Sequence, residues 1–224
     1  MGIRGIRTTY PQRGVDVDIL EIADRLERII NIEASALAAK RDLLALLRRP
    51  AGVTLDVPYL SQLGPDAAFA PGDCGTAVLA MWLNYLGDEV TVDEVSYASR
   101  LDQGFNYTTP AHLIWAARTW SVDLYWQRNL KVDVLCAEID AGQPCIVLVN
   151  YPSLPSRMRY DPNYKDGHWL LVVGYDAMAF KIHDPYNKGT AGAFIVLTIA
   201  ELDKSWALNH LNGNSDRQAL RVRR

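Results

Sequence analysis

Between Val15 and Leu47 the chain has neither proline nor glycine and is dense in leucine, isoleucine, alanine, glutamate and arginine. No other feature constrains the fold as much. A stretch without a breaker forms one long helix, roughly 50 Å at 1.5 Å per residue. Its apolar residues recur every seven positions: Ile22, Ile29, Ala36 and Leu43 make one row, and Ala23, Ile30, Leu37 and Leu44 the next. A third row (Ile19, Leu26, Glu33, Lys40, Leu47) is interrupted twice by charge. That pattern suits a homo-oligomeric coiled coil through residues 15–47, with Glu33 and Lys40 specifying register. It equally suits an amphipathic helix, or a bent helical hairpin, packed on its own domain.

The run Arg48-Arg49-Pro50-Ala51-Gly52 ends this helix, because proline breaks it and glycine follows. Beyond it the texture changes to short elements. Val53–Leu60 alternates like a strand, Gly75–Leu86 reads as a helix closed by Gly87, and Thr91 to Glu94 form a capping box. Thr109-Pro110 opens a further helix through Trp120. A strand at Val122–Trp126 and a helix near Val132–Ala141 come next. Apolar strands then follow at Cys145–Asn150, Trp169–Tyr175, Phe180–His183 and Ala193–Leu197. Helices first and strands last predict an α+β fold with a mostly antiparallel sheet. The organisation expected is a helical segment over 1–52, a catalytic-sized domain over 53–208 and a polar, basic tail over 209–224.

Charge narrows the function. The net charge of −3 argues against a general nucleic-acid or anionic-membrane binder. Residues 51–224 carry fourteen basic and nineteen acidic groups, and four of those basic groups are arginines beyond Asn214, so the body is acidic. No apolar run is long enough to span a bilayer, and the basic start MGIRGIRTTYPQRG has no apolar stretch behind it. The expectation is a cytoplasmic protein, or one exported by a route that uses no signal peptide. Three cysteines and no CxxC pair suggest free thiols rather than a disulfide framework or a zinc site.

The three thiols differ in setting. Cys136 in VDVLCAEI and Cys145 in PCIVLVN suit buried apolar positions. Cys74 instead sits in the turn Pro71-Gly72-Asp73-Cys74-Gly75, where the helical run TAVLAMWL begins. A thiol there faces the positive end of a helix, which favours the thiolate, although Asp73 works the other way. Among the four histidines, His112 lies within a helix and His210 in a polar stretch. His168 begins the strand WLLVVGYD, and His183 with Asp184 closes the strand AFKIHDP. If those strands form a hairpin around Asp176–Ala179, His168 and Asp184 lie side by side, so that a carboxylate can fix the imidazole tautomer. Strand alternation then turns His183 to the opposite face. A zinc site from Cys74, His168 and His183 matches no usual ligand spacing. The stretch Tyr151–Gly167 reads as a loop without structure of its own, bordering the cleft and carrying Arg157, Arg159 and three tyrosines.

Four ordered blocks, VPYLSQ, GDCGTAVLAMWLNYLG, GHWLLVVGYD and HDPYN, resemble the papain-fold cysteine peptidases of the bacteriocin-processing (double-glycine leader) type, in their stand-alone bacterial form. The likeness covers about residues 55–205. It implies a papain-like fold, a peptide or protein substrate, no metal and no cofactor. By this resemblance Cys74 is the nucleophile, His168 the base, Asp184 the orienting carboxylate and Gln62 an oxyanion-hole donor, set apart from Cys74 by the long spacer LGPDAAFAPGD. Gln62 also reads as a surface amide at a strand end. The same triad would serve a hydrolase of peptidoglycan cross-links, and the fold without catalysis would serve a binding module multimerised by its N-terminal helix. Papain-like enzymes also carry helical pro-segments over the cleft, a further use for residues 15–47.

Overall fold

The computed structural model describes residues 19–47, 52–67, 72–100, 107–207 and 216–223. The chain divides into two units, Met1–Ala45 and Leu46–Arg224. Helix α1 (Ile19–Leu47), all but its last two residues in the first unit, leaves Ile22, Leu26, Ile29, Ile30 and Leu37 exposed. The expected helix start at Val15, its break at Arg48–Pro50, His210 and half of the 209–224 segment lie outside the described residues. Among those residues no helix is long and apolar enough to cross a membrane.

The second unit is built on one antiparallel sheet. Its strands are β1 (Val53–Thr54), β2 (Leu124–Gln127), β3 (Cys145–Asn150), β4 (Gly167–Tyr175), β5 (Ala179–His183), β6 (Ile195–Thr198) and β7 (Gln218–Val222). They run in the order β2-β7-β3-β4-β5-β6, with β1 on the far end of β4. The two-residue period of a strand divides the core. Ile146 and Leu148 of β3, with Trp169, Leu171 and Val173 of β4, face α2 (Cys74–Leu86), α3 (Val92–Ala98) and α4 (Pro110–Ala117). Cys145, Val147 and Val149, with Leu170 and Val172, face α5 (Val132–Asp140) and α6 (Ile199–Ala207). Central strands covered on both faces are apolar throughout, and every residue of β3 is buried.

Local chemistry sets the helix ends. The first ten residues of α2 are buried, as expected of a helix lodged between a sheet and two other helices. It stops at Gly87, whose φ of 101° a side chain rarely tolerates and whose N–H caps the carbonyls of Leu83 and Asn84. A reciprocal Thr91–Glu94 capping box opens α3. Thr109 caps α4, and Pro110 occupies its first turn, where no N–H is missed. The α+β architecture expected from the sequence is the one observed.

Four details depart from the sequence reading. Only Val53–Thr54 of the Val53–Leu60 run pairs as a strand; further on, the Val57 carbonyl is taken by a histidine side chain. The loop after β3 is not unstructured: it contains two 3₁₀ turns, Tyr151–Ser153 and Ser156–Met158, and buries Tyr151, Leu154 and Met158 in the core. Helix α6 lies between the last two strands, so helices do not all come first. Residues 218–222, assigned to a basic tail, form β7 inside the sheet between β2 and β3. The strand's one arginine, Arg221, is bonded to Glu138 and Gln127, and Arg217 just before it meets Asp203 at 2.6 and 2.9 Å. These basic groups answer acidic ones on the body, and Ala219 and Leu220 fill the core.

Candidate active site

Cys74 is the first residue of α2, and how closely that helix start approaches the sheet depends on the next residue. A Cβ on Gly75 would lie 1.9 Å from Thr108 Oγ1 and 2.9 Å from Trp169 Cδ1, so only glycine lets the helix end sit against Trp169. Trp169 follows His168, and its indole N–H donates to the Thr108 carbonyl at 3.2 Å. The neighbouring acid is otherwise engaged: the Asp73 carboxylate accepts from Ser96 Oγ at 2.7 Å and from Thr76 Oγ1 at 3.2 Å.

His168, paired with Val149 near the start of β4, is 3% exposed. Its Nε2 is 2.7 Å from Asp184 Oδ1, and its ring takes edge contacts from Tyr151 and Tyr186. With Nε2 committed to the carboxylate, Nδ1 is the nitrogen available to the Cys74 thiol, which is also a hydrogen-bond partner of this histidine. Burial by itself would push the imidazole pKa down. The Asp184 charge, the hydrogen bond to it and the interaction with Cys74 outweigh burial and raise it to about 10. Asp184 thus favours the charged form of the ring, the form it takes on receiving a proton at Nδ1.

Asp184 follows β5 and is fully buried, with both its backbone and its side chain fixed. Its N–H donates to the Gly192 carbonyl at 2.9 Å, its C=O accepts from Tyr59 Oη at 2.8 Å, and Oδ1 also accepts the Tyr186 N–H at 3.0 Å. Strict register would not have paired it with His168: Leu171 sits opposite His183, and an irregularity lies between Val172 and Gly174. The pair forms because the chain turns at Asp184-Pro185 and brings the carboxylate back toward the start of β4.

Gln62 is not a surface amide. It is 1% exposed, and its N–H donates to the Pro185 carbonyl at 3.0 Å, which ties it to the turn carrying Asp184. Tyr59, on the same segment, reaches Asp184 and Asn187 through its hydroxyl. Sequence reading missed Tyr59, although it stands in the VPYLSQ block three residues before Gln62. It gave no role to Tyr186 beside the imidazole, whereas Tyr151 belongs to the stretch read as bordering the cleft.

His183 points away from this cluster, as alternation requires. Its Nε2–H donates to the Val57 carbonyl at 2.9 Å, and Nδ1 accepts the Phe194 N–H at 3.1 Å. With both nitrogens used it cannot join Cys74 and His168 around a metal, and no group of metal-holding side chains occurs among the described residues. Burial lowers its pKa. A second proton would sit on Nδ1 against the Phe194 N–H. The unfolded chain therefore binds a proton that the native one refuses. The stability this residue contributes is complete above about pH 6.5 and declines as pH falls below it. His183→Gln is expected to lower the melting temperature at pH 7 by several degrees and to flatten the loss of stability between pH 6.5 and 5. Turnover per folded molecule should be retained. Loss of turnover with an unchanged melting temperature would show that His183, not His168, serves the thiol.

A model of the Peptidase_C39 like family matches residues 54–211 of the chain. No curated protein sequence matches significantly. Among solved structures, a C39-like peptidase from Bacillus anthracis is similar over 78% of this chain and 98% of its own, at 18% identity and a TM-score of 0.56. Xylellain, a cysteine protease from Xylella fastidiosa, is similar over 80% and 87%, at 13% identity and a TM-score of 0.52. The fold is therefore that of papain-like cysteine proteases.

Proposed function

Because the chain belongs to the Peptidase_C39 like family, a family of cysteine peptidases, we propose that it hydrolyses peptide bonds with Cys74 as nucleophile, His168 as base and acid, and Asp184 as the orienting carboxylate. The observation that carries this reading is the continuous arrangement of thiol, imidazole and carboxylate, with the 2.7 Å His168–Asp184 bond at its centre.

In this reading His168 takes the thiol proton on Nδ1 and Asp184 stabilises the resulting imidazolium at Nε2. The thiolate attacks the substrate carbonyl carbon, and the electron pair of the C=O bond moves to oxygen. The Cys74 backbone N–H at the start of α2 and the Gln62 amide donate to that oxyanion. Collapse breaks the C–N bond, and His168 passes its proton to the leaving amine. Water, deprotonated by the same imidazole, then cleaves the thioester.

Alkylation tests the assignment of the nucleophile. Iodoacetamide or the epoxide E-64 should label Cys74 and spare Cys136 and Cys145, read by peptide mass mapping. Both of the latter are buried in the core, and burial pushes the Cys145 thiol far up. Equal labelling of all three, or labelling of Cys145 first, would remove the basis for a nucleophilic Cys74.

We propose further that α1 joins copies of the chain through its heptad rows. Its exposed Ile22, Ile29, Ile30 and Leu37 support this reading, since such residues gain most from burial against one another. Light scattering should return a multiple of 25.0 kDa, and deleting residues 1–50 should give a monomer of unchanged turnover per site. A monomeric, nearly inactive intact chain that deletion activates would identify the helix as a pro-segment instead.

A further inference from the structure

Next to the proposed triad lies a cavity of about 270 Å³ that the mechanism does not use, lined by Tyr151, Ser156, Arg159, Asp161, Tyr164 and Lys165 and by two prolines. It shares a wall with the triad. The Tyr151 ring meets the His168 ring edge-on at 5.6 Å and the Tyr164 ring at 5.2 Å, and Tyr164 is close enough to Cys74 to feel its charge. Both tyrosine hydroxyls are fixed to the backbone: Tyr151 Oη accepts the Asp161 N–H at 2.9 Å, and Tyr164 Oη donates to the Gly167 carbonyl at 2.8 Å. The wall is rigid and sits one side chain away from the reacting thiol.

The charges around this cavity are unbalanced. Arg157, two residues from Arg159, is committed to Glu201 through a two-pronged contact at 2.6 and 2.8 Å. Among the described residues Arg159 bonds the Pro152 carbonyl, at 3.4 Å, and the Lys165 ammonium the Pro162 carbonyl, at 2.7 Å. Neither meets a carboxylate among the described residues. Asp161, the one acid on the lining, uses its Oδ1 on the Asn163 N–H at 2.8 Å. On the lining two cations thus face one carboxylate, with Asp166 beside Lys165 a second acid near enough to act on Tyr164, on a body where acids outnumber bases nineteen to fourteen. A guanidinium with most of its donors unspent and an ammonium on the rim are suited to a carboxylate, which accepts two parallel bonds from such a fork.

We propose that this cavity is a substrate subsite that takes a carboxylate, either an aspartate or glutamate side chain or the free end of the chain, within a few residues of the scissile bond. The proposal rests on the peptidase reading above and adds to it a class of substrate: peptides acidic near the cleavage point. Arg159 supplies the bidentate contact, Lys165 the second positive charge, and Tyr151 and Tyr164 the wall along the carbon stem. Asp161, the one acid on the lining, opposes these charges and is held by the Asn163 N–H.

The test separates binding from cleavage. Fluorescein-labelled hexapeptides are made in pairs that differ only by Glu against Gln at one position, with one further pair ending in a free carboxylate or an amide. Their affinity for the full-length Cys74→Ala protein is read by anisotropy. At one position the acidic member is expected to bind at least about tenfold tighter, and that preference should vanish in Cys74→Ala carrying Arg159→Gln and Lys165→Gln, with a thermal melt confirming that this variant is folded. Which pair shows the effect tells a side-chain carboxylate from a chain end. No acidic preference at any position, or a preference that survives the two substitutions, overturns the subsite. Hydrolysis of the same peptides by the unsubstituted protein reports separately: acid-selective binding without cleavage refutes the peptidase reading and leaves the subsite, whereas cleavage without selectivity does the reverse.

Discussion

Cys74→Ala is expected to abolish peptide hydrolysis, a fall on the order of 10⁶-fold in kcat, because nothing else at the start of α2 can form the acyl intermediate. His168→Ala should be nearly as severe, and the double substitution little worse than either alone, since nucleophile and base act as a unit. The controls are the other two thiols. Cys136→Ala and Cys145→Ala each remove sulfur from a fully packed position and should cost about 0.5–3 kcal/mol of stability, with turnover per folded molecule retained. The measurement is initial rate on a quenched fluorescent peptide, corrected for the folded fraction by a melt. Full activity in Cys74→Ala, or loss of activity only in Cys145→Ala, would overturn the assignment.

Asp184→Asn should have the second-largest effect, and it acts through His168. Two opposed influences meet at that imidazole: burial favours the neutral ring, and the adjacent carboxylate favours the charged one. In the native pair the charged form prevails, so activity that needs the thiolate–imidazolium pair should persist up to about pH 10. With the charge removed, burial is left with less opposition and the alkaline limb should move to lower pH. At pH 7 kcat should drop roughly 10²- to 10⁴-fold, the range spanned by general-base and imidazole-orienting groups, with KM changed far less. The same pair bears on stability. His168 has a raised pKa in the folded state, so its contribution is complete below about pH 6.5 and is lost as pH rises through about 10. An unchanged pH–rate profile in Asp184→Asn would mean that the carboxylate does not govern the base.

Three residues of the candidate site could be singled out before the fold because each is marked by its immediate neighbours, whereas Gln62 and the roles of all four came from the family resemblance. Cys74 is followed by glycine and an apolar helix, His168 by an apolar strand, and Asp184 by proline. Local punctuation of that kind survives in one dimension. Alternation was enough to turn His183 away from Asp184's partner, although the irregularity after Val172 lies outside what a strand pattern records. Helix α6 was readable in principle: Thr198 and Glu201 exchange side-chain to backbone bonds as a capping box, at 3.0 and 3.2 Å. The fates of Arg157 and Arg159 were not. They stand two apart in one loop, and only the arrival of Glu201, 44 residues after Arg157, commits one and leaves the other facing the cavity. β7 escaped for the same reason, because Arg221 finds its partners on β2 (Gln127) and α5 (Glu138), far back along the chain.

The place of β7 also bears on how the protein is made. As the polypeptide leaves the ribosome, β2 and β3 emerge with a gap between them that only residues 218–222 can close. Until that late segment appears, one edge of β3 offers unpaired N–H and C=O groups to any other nascent strand, a recognised route to misassembly. The central pairing spans more than seventy residues, from Ile146 to Leu220, so its loop can close only after β4, β5 and β6 have all emerged. The sheet that holds His168 is thus completed only once β7 has emerged, on the edge of β3 opposite the one that pairs with His168's strand.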